Sequence, residues 1–515
     1  MAKIDLNNVP ASGFEMQVTA ALLLAVSMLM VVLLFLFNKD SSKRPPGPRG
    51  VPVMGYLPFF DKEAHLTFTK LRETYGDVLS LSFGAWPAVV VSGYDVIKEA
   101  LVAKGDDFSG RPAFTTGRMW NEGRSFGLGP FDAVWKMKQA IVKQAMAKFI
   151  NAKTDLIEEV IRAEVGAVIT SLTSHGDTSL CPKDSISVAI SSMMYQLCYG
   201  RLDDFREDPG FKAELAGEMS VLAAKKGSLL DLVPWLRHVQ RAKVNRFKDI
   251  VRDVEDRRSA RITEHEATFD DENLRDLADF LIQAGNSLSE GDLAVGLDKT
   301  RVVESLDFIK QAHGSVGTAL EWLLLLMAAY PEVQDKVFKE ICDVVGRDRA
   351  PGLADRRKLS YAEATIMEGI RYAAPVPLAI PHSTTCDTKL QGFDIKQDTV
   401  VFFNLFSIYK DKDLWGDPEV FRPERFLTLE GELDKSLVER VTTFSMGRRS
   451  CIGASLACME LFLFFTTLMQ RVKISRPSGQ TEEYSMEGYY NPTRKPNPYQ
   501  ICVAVRDSQV AAVEL

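Results

Sequence analysis

Phe444-Ser445-Met446-Gly447-Arg448-Arg449-Ser450-Cys451-Ile452-Gly453 is the stretch on which the reading of this 515-residue chain turns. One cysteine stands between two glycines and behind two arginines, and an apolar helical run from Ala454 to Met469 follows at once. Gly447 and Gly453 permit close approaches that a Cβ would forbid, so the loop can lie against a flat partner. The sulfur then arrives at a helix N-terminus, where free N–H groups and the dipole favour thiolate over thiol. The neighbouring arginines suit anionic groups on that partner. The competing reading is a buried free cysteine in a tight turn.

Composition narrows the field. A net charge of −7 disfavours nucleic acid as the main partner. Seven cysteines (181, 198, 342, 386, 451, 458 and 502) are scattered and form no CxxC pair. They fit a reducing compartment and offer neither a disulfide framework nor a zinc site. Six dispersed histidines form no HExxH motif.

Val18 to Phe37 runs twenty residues without a charge, enough to cross a hydrocarbon core as a helix. Lys39, Lys43 and Arg44 follow it, so the positive-inside rule places residues 1–17 in the lumen and the body in the cytoplasm. A cleaved signal peptide is the rival, but its basic flank would precede the apolar run. Residues 38–50 form a basic, proline-rich hinge, stiffened by Pro45, Pro46 and Pro48. Residues 51–515 are then one body.

Within that body, Asp77–Phe83 and Ala88–Ser92 read as a hairpin turning through Gly84–Pro87. Tyr94–Lys104 reads as a helix, and Phe108–Pro130 as a long loop of the kind that carries function. Most of Val134–Tyr330 has helical periodicity, with the longest helix starting near Lys299 and ending before Pro331. Tyr361–Tyr372 is a further helix, and Lys389–Ile395 and Thr399–Phe403 are short β patterns. The fold class is mainly α with a minor β-sheet, preceded by one transmembrane helix.

Two further motifs precede the cysteine loop. Glu368 and Arg371 stand three apart on one helix face, and Phe421-Arg-Pro423-Glu-Arg425-Phe426 supplies another arginine in an aromatic frame. With the complete Phe-x-x-Gly-x-Arg-x-Cys-x-Gly spacing, this set resembles the cytochrome P450 family, animal microsomal type, over roughly residues 45–505. The resemblance implies the family fold and haem b, with Cys451 as the iron's thiolate ligand within a loop framed by Phe444 and Gly453. It also implies that Arg449, His382 and Trp135 contact the haem propionates, and that Glu368, Arg371 and Arg425 form a buried structural network. Gln139 stands where the family often has an arginine.

The same resemblance implies a monooxygenase of the endoplasmic reticulum membrane, facing the cytoplasm and acting on a lipophilic small molecule. No GxGxxG fingerprint is present, so electrons would come from a partner, NADPH–cytochrome P450 reductase, with cytochrome b5 as a second candidate. Lys136, Lys138, Lys143 and Arg448 are candidates for its docking face.

One departure stands out. Counting back from Trp322 and Pro331, the oxygen-activation motif falls at Ala312-His313-Gly314-Ser315, where the family usually has Ala/Gly-Gly-x-Asp/Glu-Thr. Gly314 replaces the acid, and Ser315, the catalytic candidate, replaces the threonine. His313, two residues before Ser315, points about 200° away from it on a helix and would need water to assist it. Two rivals follow: an oxygen-independent hydroperoxide or endoperoxide isomerase on the same fold, and a non-catalytic haem- or lipid-binding protein.

Overall fold

The computed structural model describes residues 43–506, apart from 53, 62, 175, 177, 201–210, 214–229 and 492, together with four residues near the N-terminus. Those four, Leu23, Val26, Ser27 and Leu29, are helical and exposed; the rest of the predicted anchor at 18–37 lies outside the described residues.

Among the described residues, ten longer helices and four small sheets organise the functional region. Helix α1 (Ala64–Tyr75) leads into strands β1 (Val78–Phe83) and β2 (Trp86–Ser92). The hairpin expected from the sequence forms, but its turn is only Gly84-Ala85, because Phe83 pairs with Trp86 and Ser82 with Pro87. Gly84 takes φ +64, a conformation that favours glycine, and Leu232 O packs where its Cβ would be. The helix expected over Tyr94–Lys104 begins as α-helix at Tyr94–Lys98 and loosens into a π-helical turn over Glu99–Ala103.

A block of helices follows: α2 (Ala133–Ala152), α3 (Thr154–Thr173), α4 (Lys183–Tyr199), α5 (Arg241–Ala267) and α6 (Leu277–Asn286). Asp132 starts α2 by accepting Trp135 N–H at 2.7 Å, and Asp276 starts α6 by accepting Asp279 N–H at 3.1 Å. Each cap satisfies a donor that the first helical turn leaves orphaned.

The long helix α7 spans Lys299–Ala329, with interruptions at Glu304 and His313. Pro331 then opens α8 (Pro331–Val344), where its missing N–H costs nothing. The last long helices are α9 (Ser360–Ala373) and α10 (Ala454–Arg471). Phe462, Phe464 and Phe465 of α10 and Trp322 of α7 are almost wholly buried in one continuous core.

The other strands are β3 (His382–Ser383), β4 (Thr388–Leu390), β5 (Phe393–Ile395), β6 (Val400–Asn404), β7 (Val472–Ser475), β8 (Gly488–Asn491), β9 (Thr493–Pro496) and β10 (Cys502–Val505). The main sheet has the order β1-β2-β6-β3, and β2 pairs with β6 in parallel, Val90 opposite Phe402. That pairing joins segments some three hundred residues apart and brings β3 to the long loop: Ser383 N–H donates to Gly110 O at 3.0 Å. The proline-rich stretch lies against β1, with Ser80 N–H donating to Pro46 O at 2.8 Å and Ser80 Oγ to Pro45 O at 2.6 Å.

Candidate functional site

The cysteine loop is held by its own backbone. Cys451 N–H donates to Phe444 O at 2.9 Å, and α10 begins three residues later at Ala454. Gly447 has φ +74, and a Cβ there would lie 1.8 Å from Leu101 O, so only glycine fits. At Gly453 the situation is the reverse: the one heavy atom near an added Cβ is Cys451 Sγ, at 4.0 Å. That side of the loop is open. Cys451 is accessible, yet enough protein surrounds it to push its thiol up, an effect that Gly453 N–H opposes.

Arg449 turns inward from the loop. Its guanidinium donates to Ser109 O at 3.0 Å and Gly129 O at 2.7 Å, and stacks 3.7 Å from the Trp135 ring. Burial, then the nearby Arg111, lowers its pKa to about 8. Arg111 itself donates to Gly127 O at 2.9 Å and to Ile380 O and Pro381 O at 3.1 Å, and burial lowers it to about 9. His382 bonds Phe108 O through Nδ1 at 2.6 Å and is held well below its ordinary pKa by burial and by Arg111. Among the described residues neither arginine has a carboxylate within ion-pair distance. Buried cations are ordinarily paired, so this cluster has the charge pattern of a site for a dianionic group.

Trp135 and Gln139 both have partners within the protein. Trp135 is in the cluster, but its indole N–H is already bonded to Phe126 O at 2.8 Å, so it contributes its ring face to Arg449. Gln139 ties α2 to the cysteine loop instead, donating to Arg448 O at 2.5 Å. Arg111 was missed in the sequence; its one signal was its position in the glycine- and aromatic-rich loop.

Behind the loop, Glu368 bonds both arginines expected of it. Arg371 reaches its two oxygens at 2.6 and 2.8 Å, and Arg425 Nε reaches one at 3.0 Å. Carbonyls of Tyr409, Pro418, Trp415 and Val420, together with the carbonyl and carboxylate of Asp417, take the remaining guanidinium donors. Glu368 and Arg371 are fully buried, the Arg425 side chain nearly so, and their polar atoms are satisfied, the condition under which interior charge is tolerated.

In α7 only Phe308, Gln311, Gly314 and Ser315 interrupt an otherwise buried run from Val302 to Ala328, leaving aside the side chain of Ala312. A Cβ on Gly314 would meet nothing within 4 Å. This face therefore borders open space. His313 faces the other way: it is buried, lies 3.3 Å from Ser191 Oγ on α4, and burial lowers its pKa to about 3. It takes no part on the open face.

Lys138 is a correction. It is 3% exposed and sits 5.9 Å from the Phe126 ring centre, with burial lowering its pKa to about 8 against the pull of Glu304. It cannot belong to a docking face. Lys136 and Arg448 do lie at the surface, both paired with Asp106, at 3.3 and 2.9 Å.

Fold and site together define a haem-thiolate enzyme, and comparison with known proteins gives the family. The cytochrome P450 family model matches residues 45–503. Cytochrome P450 1A1 of Mesocricetus auratus is 35% identical over 469 residues, covering 88% of each chain. Cytochrome P450 1A1 of Homo sapiens is 35% identical over 448 residues, covering 85% of this chain and 88% of the relative. That of Cavia porcellus is 34% identical over 481 residues, covering 91% and 93%. The chain belongs to the cytochrome P450 family. It is a haem-dependent monooxygenase, of a family that binds haem b through a cysteine thiolate and takes a redox partner and a small-molecule substrate.

Proposed function

We propose that the protein is a membrane-anchored monooxygenase that inserts one oxygen atom from O2 into a lipophilic small molecule, using electrons from NADPH delivered by its reductase. The observation that carries this reading is the pairing of an accessible cysteine with two cations, buried Arg449 and half-buried Arg111, that have no carboxylate partner among the described residues and lie beside a buried, neutral His382. In this reading Cys451 ligates the haem iron. Arg449 and Arg111 would neutralise the propionates, His382 would offer them its Nε2, and Phe444 and Gly453 would frame the cysteine loop. Bound haem supplies the iron at which oxygen is activated, with thiolate ligation favouring O–O cleavage.

The chain's own residues do the rest. Phe308 and the open face of α7 receive an apolar substrate, while Ser315 Oγ passes protons inward from water. Residues 18–37 anchor the chain in the endoplasmic reticulum membrane, residues 38–50 form the hinge, and residues 51–515 face the cytoplasm. Lys136, Lys143 and Arg448 offer the reductase a basic surface, with cytochrome b5 a second possible donor there.

Gly314 favours one other reading, the hydroperoxide isomerase, because a substrate that arrives with its O–O bond needs no acid in α7. Turnover separates the two. The monooxygenase forms product from lipophilic probes only with NADPH and reductase, and Ser315→Ala raises hydrogen peroxide release at the expense of product. Rapid NADPH-independent turnover of a fatty-acid hydroperoxide, with no reductase-dependent product, would replace this reading by the isomerase.

A further inference from the structure

The open face of α7 carries two polar side chains, Ser315 and Gln311. They stand four residues apart, which on a helix makes them neighbours about 5–6 Å apart at Cβ. Gly314, three residues beyond Gln311 on the same face, leaves the space beside them empty, since an added Cβ there meets nothing within 4 Å. Gln311 is half-buried, and its amide makes no hydrogen bond among the described residues. A carboxamide so placed offers two donors and an acceptor to whatever occupies the cavity.

The helix is also loosened at this point. Its register is interrupted at His313, between the segments Ser305–Ala312 and Gly314–Ala329. Thr318 Oγ1 donates to Gly314 O at 3.1 Å, so a side-chain hydroxyl supplements the backbone ladder on this face. Loosened ladders of this kind are where water inserts into helices. The other titratable groups nearby are directed elsewhere. His313 is turned toward Ser191, Asp307 is paired with Arg258, and Lys310 is buried over the Tyr199 ring. A chain with glycine in place of an acid thus has a long amide one turn upstream, facing the vacated space.

We propose that Gln311 is a positioning residue for oxygen activation, its amide holding the water that passes protons to Ser315 Oγ. The amide keeps its own protons and its charge. Ser315 gives up its hydroxyl proton inward and regains one from the held water, which is replenished from solvent. The proposal rests on the monooxygenase reading and names the residue that does from position 311 what a carboxylate at 314 would do.

The test uses the full-length, haem-loaded enzyme with its reductase and a turned-over lipophilic probe. Gln311→Ala should raise the ratio of hydrogen peroxide to product severalfold while leaving the probe's spectral dissociation constant unchanged. Gln311→Glu should give that ratio a pH dependence which the parent lacks, a change that a purely structural role would not produce. In a Gly314→Glu background, Gln311→Ala should have little further effect. A crystal structure of the parent holoenzyme should show a water bonded to both the Gln311 amide and Ser315 Oγ, lost in Gln311→Ala. If Gln311→Ala weakens probe binding with no change in the peroxide ratio, Gln311 is a substrate contact and the proposal fails. If Ser315→Ala uncouples the enzyme and neither Gln311 variant does, the proposal fails while the monooxygenase stands. Hydroperoxide turnover indifferent to NADPH and to Ser315→Ala would remove both.

Discussion

Between Phe444 and Gly453, most backbone and side-chain choices are fixed by a contact. Phe444 O takes Cys451 N–H, Gly447 is pressed onto Leu101 O, and Arg449 is held by two loop carbonyls and the Trp135 ring. Between Gln311 and Ser315 in α7 the opposite holds. The helix register breaks, Gly314 faces empty space, and the amide of Gln311 has no protein partner among the described residues. One region is over-determined scaffold, and the other leaves room for molecules that come and go. A fold can thus hold one loop rigidly while leaving a face of a nearby helix open.

If the cradle depends on the Glu368 network, the largest effect should come from Glu368→Ala. It would strand Arg371, a fully buried guanidinium, and leave Arg425 only Asp417 at 3.2 Å, and such loss of one partner costs about 3–5 kcal/mol. Haem incorporation and the thermal midpoint should both collapse. Normal haem content in this variant would mean that the cradle does not need the network.

Gly447→Ala should come next. It puts a side chain at φ +74 against Leu101 O and should cost about 1–3 kcal/mol, with weakened haem retention. Gly314→Ala, with open space at its Cβ, should retain haem fully. Equal haem loss in the two alanine variants would erase the contrast between the regions.

The smallest effect concerns Lys138. Burial lowers its pKa from 10.5 to about 8, so between those values the unfolded chain binds a proton that the folded chain does not. Its contribution to stability therefore rises with pH across that window, by an amount on the order of 1–3 kcal/mol. Lys138→Met should flatten the rise seen in chemical denaturation between pH 8 and 10.5. An unaltered slope would return Lys138 to the surface.

The cysteine loop and the Glu368 network were legible in the sequence because each is encoded locally, in glycines, arginines and prolines at fixed spacings. Arg111 was not, because its role depends on a parallel β2–β6 pairing and a Gly110–Ser383 bridge that no local pattern announces. Lys138 was grouped with Lys136 as surface charge, yet two residues on a helix differ by about 200° and cannot share a face. Trp135 was expected to contact a propionate, and its indole N–H donates to Phe126 O, nine residues earlier in the chain. In α7 the helix was expected, but the break at His313, whose ring lies 3.3 Å from Ser191 Oγ on α4, was not.

Cys451 as the thiolate ligand is the assignment on which the rest of the site depends. The reduced, carbon monoxide-bound protein should show the long-wavelength absorption band of a thiolate-ligated haem, and Cys451→Ser should lose that band while remaining folded by circular dichroism. Retention of the thiolate band in Cys451→Ser would contradict the assignment, and with it the reading of the whole loop.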